Sequence, residues 1–108
     1  MVKIENLPPK LKKKGLSEEL LKICEGNDIR LMAIFGSFVR KEENKRSDID
    51  IAIEFTDKSR KDLFDLIHIE DALRKIFRRK VDLGIFSSIN PDIIEDVRKE
   101  MMVIYEKG

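Results

Sequence analysis

Residues 29–55 read IRLMAIFGSFVRKEENKRSDIDIAIEF, and this stretch decides the fold. Ile29 to Phe35 is a mostly apolar run rich in strand formers, which predicts a buried strand. Gly36-Ser37 ends that run. A short polar stretch from Phe38 to Ser47 reads as one or two helical turns and then a loop. From Ile49 to Phe55 the pattern alternates: Ile49, Ile51, Ile53 and Phe55 point one way, and Asp50, Ala52 and Glu54 point the other. That is the pattern of a half-buried strand. Asp48 and Asp50, two residues apart, project to the same side of it.

Upstream, Ser17 reads as a helix N-cap, with Glu18 and Glu19 in the first turn where negative charge suits the helix dipole. The helix runs to Gly26-Asn27, a stop signal. Before it, residues 1–15 are Lys- and Pro-rich, with Pro8-Pro9 and Lys12 to Lys14, and read as an exposed basic leader. Downstream, Lys58 to Arg79 predicts the longest helix. Its apolar stripe is Leu63, Leu66, Ile67, Leu73, Ile76 and Phe77. Glu70 is expected to pair with Arg74 one turn later, and His68 to face solvent. Val81 to Phe86 reads as a third strand. Pro91 opens a further helix carrying Ile93, Ile94 and Val97. Met101 to Tyr105 closes the chain as a short edge strand. The expectation is one α/β (α+β) domain over residues 16–108, a small mixed sheet bearing aspartates on one side with helices packed on one face.

The bulk numbers restrict function further. The 108 residues suit a single domain, and 42% are hydrophobic, enough for a core. Charged residues make up 40%, against roughly 25% in an average soluble domain. The charges almost cancel, at +1, so no global basic field calls for nucleic acid. The basic leader and the Arg78-Arg79-Lys80 cluster are the only features favouring an oligonucleotide, and exposed aromatics are scarce. No apolar run approaches the ~20 residues of a membrane span, and the N-terminus lacks the apolar core of a secretion signal. Cys24, the one cysteine, lies in an apolar stretch and reads as a small core residue in a reducing cytoplasm.

The chemistry sits in the aspartates. Two carboxylates on one side of a strand repel unless a cation lies between them. Such hard oxygen ligands suit magnesium, which keeps some waters and takes the rest of its shell from phosphates. Gly36-Ser37, directly after the preceding strand, lets backbone approach a phosphate, with the Ser37 hydroxyl as a further donor. Arg40 is near enough in sequence to reach the same phosphates, and Ser47 to cap the loop or touch the nucleotide. Asp82 is the acidic residue in an otherwise apolar strand, where a charge needs a reason. If neighbouring strands bring Asp82 beside Asp48 and Asp50, the set suits two-metal phosphoryl chemistry, with Asp82 as base for an attacking hydroxyl.

Gly36-Ser37, ten residues, Asp48-Ile49-Asp50 and a later strand bearing Asp82 resemble the signature of the polymerase-β-like nucleotidyltransferase superfamily. The resemblance spans about residues 29–86 and is nearest the minimal nucleotidyltransferase branch. It implies a palm-like fold. It implies triphosphate binding by Gly36 and Ser37, and metal binding with catalysis by Asp48, Asp50 and Asp82. The superfamily often has a glycine after the arginine of the helical stretch; here Lys41 follows Arg40. Members of this branch are commonly encoded beside a small helical partner of the HEPN type, and some are antitoxins that adenylylate a tyrosine on it. The resemblance therefore implies AMP transfer from ATP to a HEPN-type protein. Two rivals stay open at this point: a catalytically silent module that binds nucleotide or partner, and transfer to a small molecule. An apolar patch left by a missing acceptor domain would bury itself in a dimer or a partner.

Overall fold

A computed structural model of the chain describes residues 2–4, 15–36, 48–56 and 62–107. Its strands are β1 (Val2–Ile4), β2 (Ile29–Phe35), β3 (Ile49–Phe55), β4 (Val81–Ile85) and β5 (Met102–Lys107). Its helices are α1 (Leu16–Gly26), α2 (Leu63–Phe77) and α3 (Pro91–Glu100), with a 3-10 turn at Phe86–Ser88 after β4. The strands form one sheet in the order β1-β5-β2-β3-β4. The pair β3–β4 is parallel and the others are antiparallel. Parallel neighbours need a crossover long enough to return the chain, and α2 supplies it. The α/β fold with a small mixed sheet is the one expected.

Alternation along β3 sorts the molecule into two faces. Ile49, Ile51 and Ile53 are fully buried on the first. There they join Met32 and Ile34 of β2, Leu16, Leu20 and Cys24 of α1, and Ile69, Leu73 and Phe77 of α2. This is the main core, and the two longer helices share its face of the sheet. The opposite face carries Ala33, Ala52 and Phe86, with Ile94 and Val97 of α3 packed against them. The third helix thus adds a partial second layer to the arrangement expected from sequence.

Several local expectations change. Leu16 is 3% exposed and belongs to the core, so α1 starts one residue before Ser17. The cap position is Gly15 at φ 81°, without a side-chain cap. The helix α2 carries the stronger cap. Asp62 Oδ1 accepts from Asp65 N and Asp65 Oδ2 accepts from Asp62 N, both at 3.0 Å. At its far end Arg78 turns left-handed, φ 55°, and its N–H donates to Arg74 O at 2.7 Å. The expected start of this helix, at Lys58, lies outside the described residues.

The stripe of α2 is also rotated from its expected phase. Ile69, Leu73 and Phe77 are buried, while Leu63 and Ile67 are 68% and 53% exposed. The Glu70–Arg74 pair forms at 2.8 Å and His68 faces solvent, both as expected. The C-terminal strand β5 is not an edge: it lies between β1 and β2. Its outer neighbour β1 arises within the stretch read as a leader, pairing Val2 with Lys107 and Ile4 with Tyr105.

Candidate functional site

The site is assembled by register. Asp50 of β3 stands beside Asp82 of β4 in the parallel ladder. Across the other edge of β3, Asp50 pairs with Phe35 of β2. Register-matched residues project to one side of a sheet. Ile49, Val81, Ile51 and Leu83 fill the main core, so Asp50 and Asp82 stand on the opposite face. That face is occupied further along the strands by Ala33, Ala52, Phe86 and α3. The carboxylates lie beyond those residues, towards the start of β3 and β4. Asp50 is half-buried, and Asp48 and Asp82 are exposed. Asp48 lies two residues before Asp50 on the same side. The backbone bond from Ile49 N to Lys80 O, 2.9 Å, carries the ladder outward to its level.

Gly36 closes β2 beside this group. It is buried and its φ is +77°, a conformation that residues with a Cβ adopt at a cost. A Cβ placed there would collide with the Asp50 carboxylate oxygen and lie 3.2 Å from Asp50 Cγ. The glycine therefore lets backbone and carboxylate meet. That role was not foreseen from the sequence, which gave a reason for glycine but no sign of its neighbour. Ser37, Arg40 and Ser47 lie outside the described residues.

Asp50 on β3, Asp82 on β4 and Asp48 just before β3 are hard-oxygen donors of the kind magnesium takes together with water and phosphate oxygens. The backbone thus suits the metal implied by the sequence. As the side chains stand, no three acidic, histidine or cysteine groups among the described residues close on a single point.

Other reactive groups lie elsewhere. His68 lines a groove along the outer side of α2 with Phe64, Ile67, Glu70, Asp71 and Arg74. The helix α2 packs on the main-core face, so this groove is remote from the carboxylates. Cys24 is fully buried, and burial, with a smaller contribution from Glu25, pushes its thiol up to about 12. A thiol held neutral in this way is a core residue, as its sequence context suggests. No helix among the described residues is long and apolar enough to cross a membrane.

The chain is similar to several known proteins. A Thermococcus cleftensis protein named protein adenylyltransferase MntA is 32% identical over 76 residues, covering 70% of this chain and 75% of its own. A crystal structure of a toxin–antitoxin with AMP-PNP superposes with a TM-score of 0.69 at 21% identity, covering 83% of this chain and 73% of that one. An MNT antitoxin in complex with a tri-AMPylated HEPN toxin from Shewanella oneidensis is also similar. It gives a TM-score of 0.63 at 19% identity, over 87% of this chain and 72% of that one. The pattern of the Polymerase beta nucleotidyltransferase family matches residues 18–108, and the chain belongs to that family.

Proposed function

We propose that this chain is a magnesium-dependent protein adenylyltransferase, with residues 16–108 as its transfer domain. It moves AMP from ATP to a tyrosine of a HEPN-type helical partner and acts as that partner's antitoxin in the cytoplasm. The observation that carries the reading is the register of Asp50 beside Asp82 near the start of β3 and β4. Gly36 stands against Asp50 there. The similar toxin–antitoxin structure with AMP-PNP supports ATP as donor. The similar complex with an AMPylated HEPN toxin supports the acceptor.

In the reaction the acceptor hydroxyl oxygen attacks the α-phosphorus of ATP. An oxygen–phosphorus bond forms to AMP, the bond from the α-phosphorus to the bridging oxygen breaks, and pyrophosphate leaves. Asp82 accepts the hydroxyl proton on its carboxylate. Asp50, held by β3 between Phe35 and Asp82, would bind metal together with Asp48 rather than touch the phosphate directly. Gly36 and Ser37 cradle the triphosphate, and Arg40 and Ser47 contact the nucleotide. Asp48, Asp50 and Asp82 would hold two magnesium ions, which would supply positive charge against the phosphate oxygens.

The test uses ATP labelled at the α-phosphate, magnesium and the HEPN-type protein encoded beside this chain, followed by denaturing gel and mass analysis. The reading predicts label on a partner tyrosine, lost with Asp50→Asn. A partner that stays unlabelled while the wild-type chain binds ATP would contradict it.

A further inference from the structure

We propose that Lys80 is a further member of this site and contacts the β- and γ-phosphates of the bound nucleoside triphosphate. The inference rests on the nucleotidyl-transfer reading and deepens it. Its basis is the ladder between β3 and β4. Ile49 pairs with Val81 and Asp50 with Asp82, and Ile49 N donates to Lys80 O at 2.9 Å. The extended pairing therefore continues past Val81 to Lys80. Val81 is buried in the main core. Alternation then puts Lys80, like Asp82, on the carboxylate side. Asp48 and Lys80 thus form the outer pair of a block whose inner pair is Asp50 and Asp82.

That block holds three anions and one cation, and its proposed substrate is a polyanion. Metal ions offset part of the repulsion. An ammonium at the outer corner offsets more, at the end where solvent reaches the site. Lys80 is exposed, and among the described residues neither its ammonium nor the Asp48 carboxylate is engaged in an ion pair with the other. It is therefore available to a ligand. A lysine suits the role as a compact point charge on a flexible stem, able to follow phosphates that shift as pyrophosphate leaves.

The test measures binding of ATP and of AMP to the wild-type chain, Lys80→Ala and Lys80→Arg by titration calorimetry with magnesium. The inference predicts that Lys80→Ala weakens ATP about tenfold, changes AMP binding less than twofold, and is largely rescued by Lys80→Arg. Equal weakening of ATP and AMP would overturn it, as would unchanged ATP binding. A raised magnesium requirement with unchanged ATP affinity at saturating magnesium would also overturn it, since Lys80 would then act only through Asp48. If the wild-type chain binds ATP with this Lys80 dependence but labels no partner, the transfer reading fails and the phosphate contact stands. If the wild-type chain binds no ATP, both fail.

Discussion

Gly36 is held by two requirements at once: a left-handed backbone and contact with the Asp50 carboxylate. Gly36→Ala is expected to lower stability by about 1–2 kcal/mol through the backbone alone. It should also slow AMP transfer at least tenfold, because Asp50 must move. Thermal unfolding and initial rates on the same sample check both effects, and a wild-type rate would show that the present position of Asp50 is not needed. Cys24 makes a prediction about pH. Its thiol is raised from 9.0 to about 12 in the folded chain. The stability this represents is complete below pH 9, where the unfolded thiol is still protonated, and is lost as pH rises from 9 towards 12. Denaturant titrations at pH 8 and pH 10.5 should show a smaller fall for Cys24→Ala than for wild type. Equal falls would mean the thiol ionises normally when folded.

Among the elements, α2 separates what burial decides from what apolar character suggests. Ile69 is fully buried and Phe64 is 81% exposed. Ile69→Ala should cost about 2–5 kcal/mol, and Phe64→Ala no more than about 0.5 kcal/mol, by chemical denaturation. A large cost at Phe64 would place it against an apolar surface. This helix also marks how far local pattern reaches. Two overlapping stripes run along it, one through Leu63, Leu66 and Ile67 and one through Leu66, Ile69, Leu73 and Phe77. Nothing within the segment chooses between them; contact with α1 and β4 does. The strands were easier to read. In β3 the buried isoleucines alternate with Asp50 and Ala52, and period two on a pleated sheet has one interpretation. The strand β1 was not readable, because Val2–Ile4 is too short to show a period. It exists by pairing with β5, from the other end of the chain. The same pairing turns β5 from an expected edge into an interior strand.

Across the whole molecule, the carboxylates and the first strand lie at opposite sides of the sheet, with β4 at one edge and β1 at the other. Removing residues 1–5 should therefore lower the melting temperature, by stripping a strand from β5, while leaving the rate constant for AMP transfer within about twofold of wild type. A large loss of rate in a chain that still melts cooperatively would link β1 to the site. Much of that site was legible as chemistry before it was legible as geometry. Asp48 and Asp50 announce themselves by their spacing on a strand, and Asp82 by being a charge among apolar neighbours. That Asp50 and Asp82 are direct register partners depends on β3 and β4 being adjacent and parallel, which follows from how α2 carries the chain back. That Gly36 touches Asp50 depends on the β2–β3 pairing.

The central claim is that Asp50 and Asp82 act as one catalytic unit, and a double-mutant cycle on AMP transfer tests it most directly. Initial rates are compared for wild type, Asp50→Asn, Asp82→Asn and the double variant, each confirmed folded by circular dichroism. The account predicts that either single change lowers the rate about 1,000-fold or more, and that the double variant is no worse than the poorer single. Wild-type activity in Asp82→Asn, or losses that simply multiply in the double variant, would contradict it.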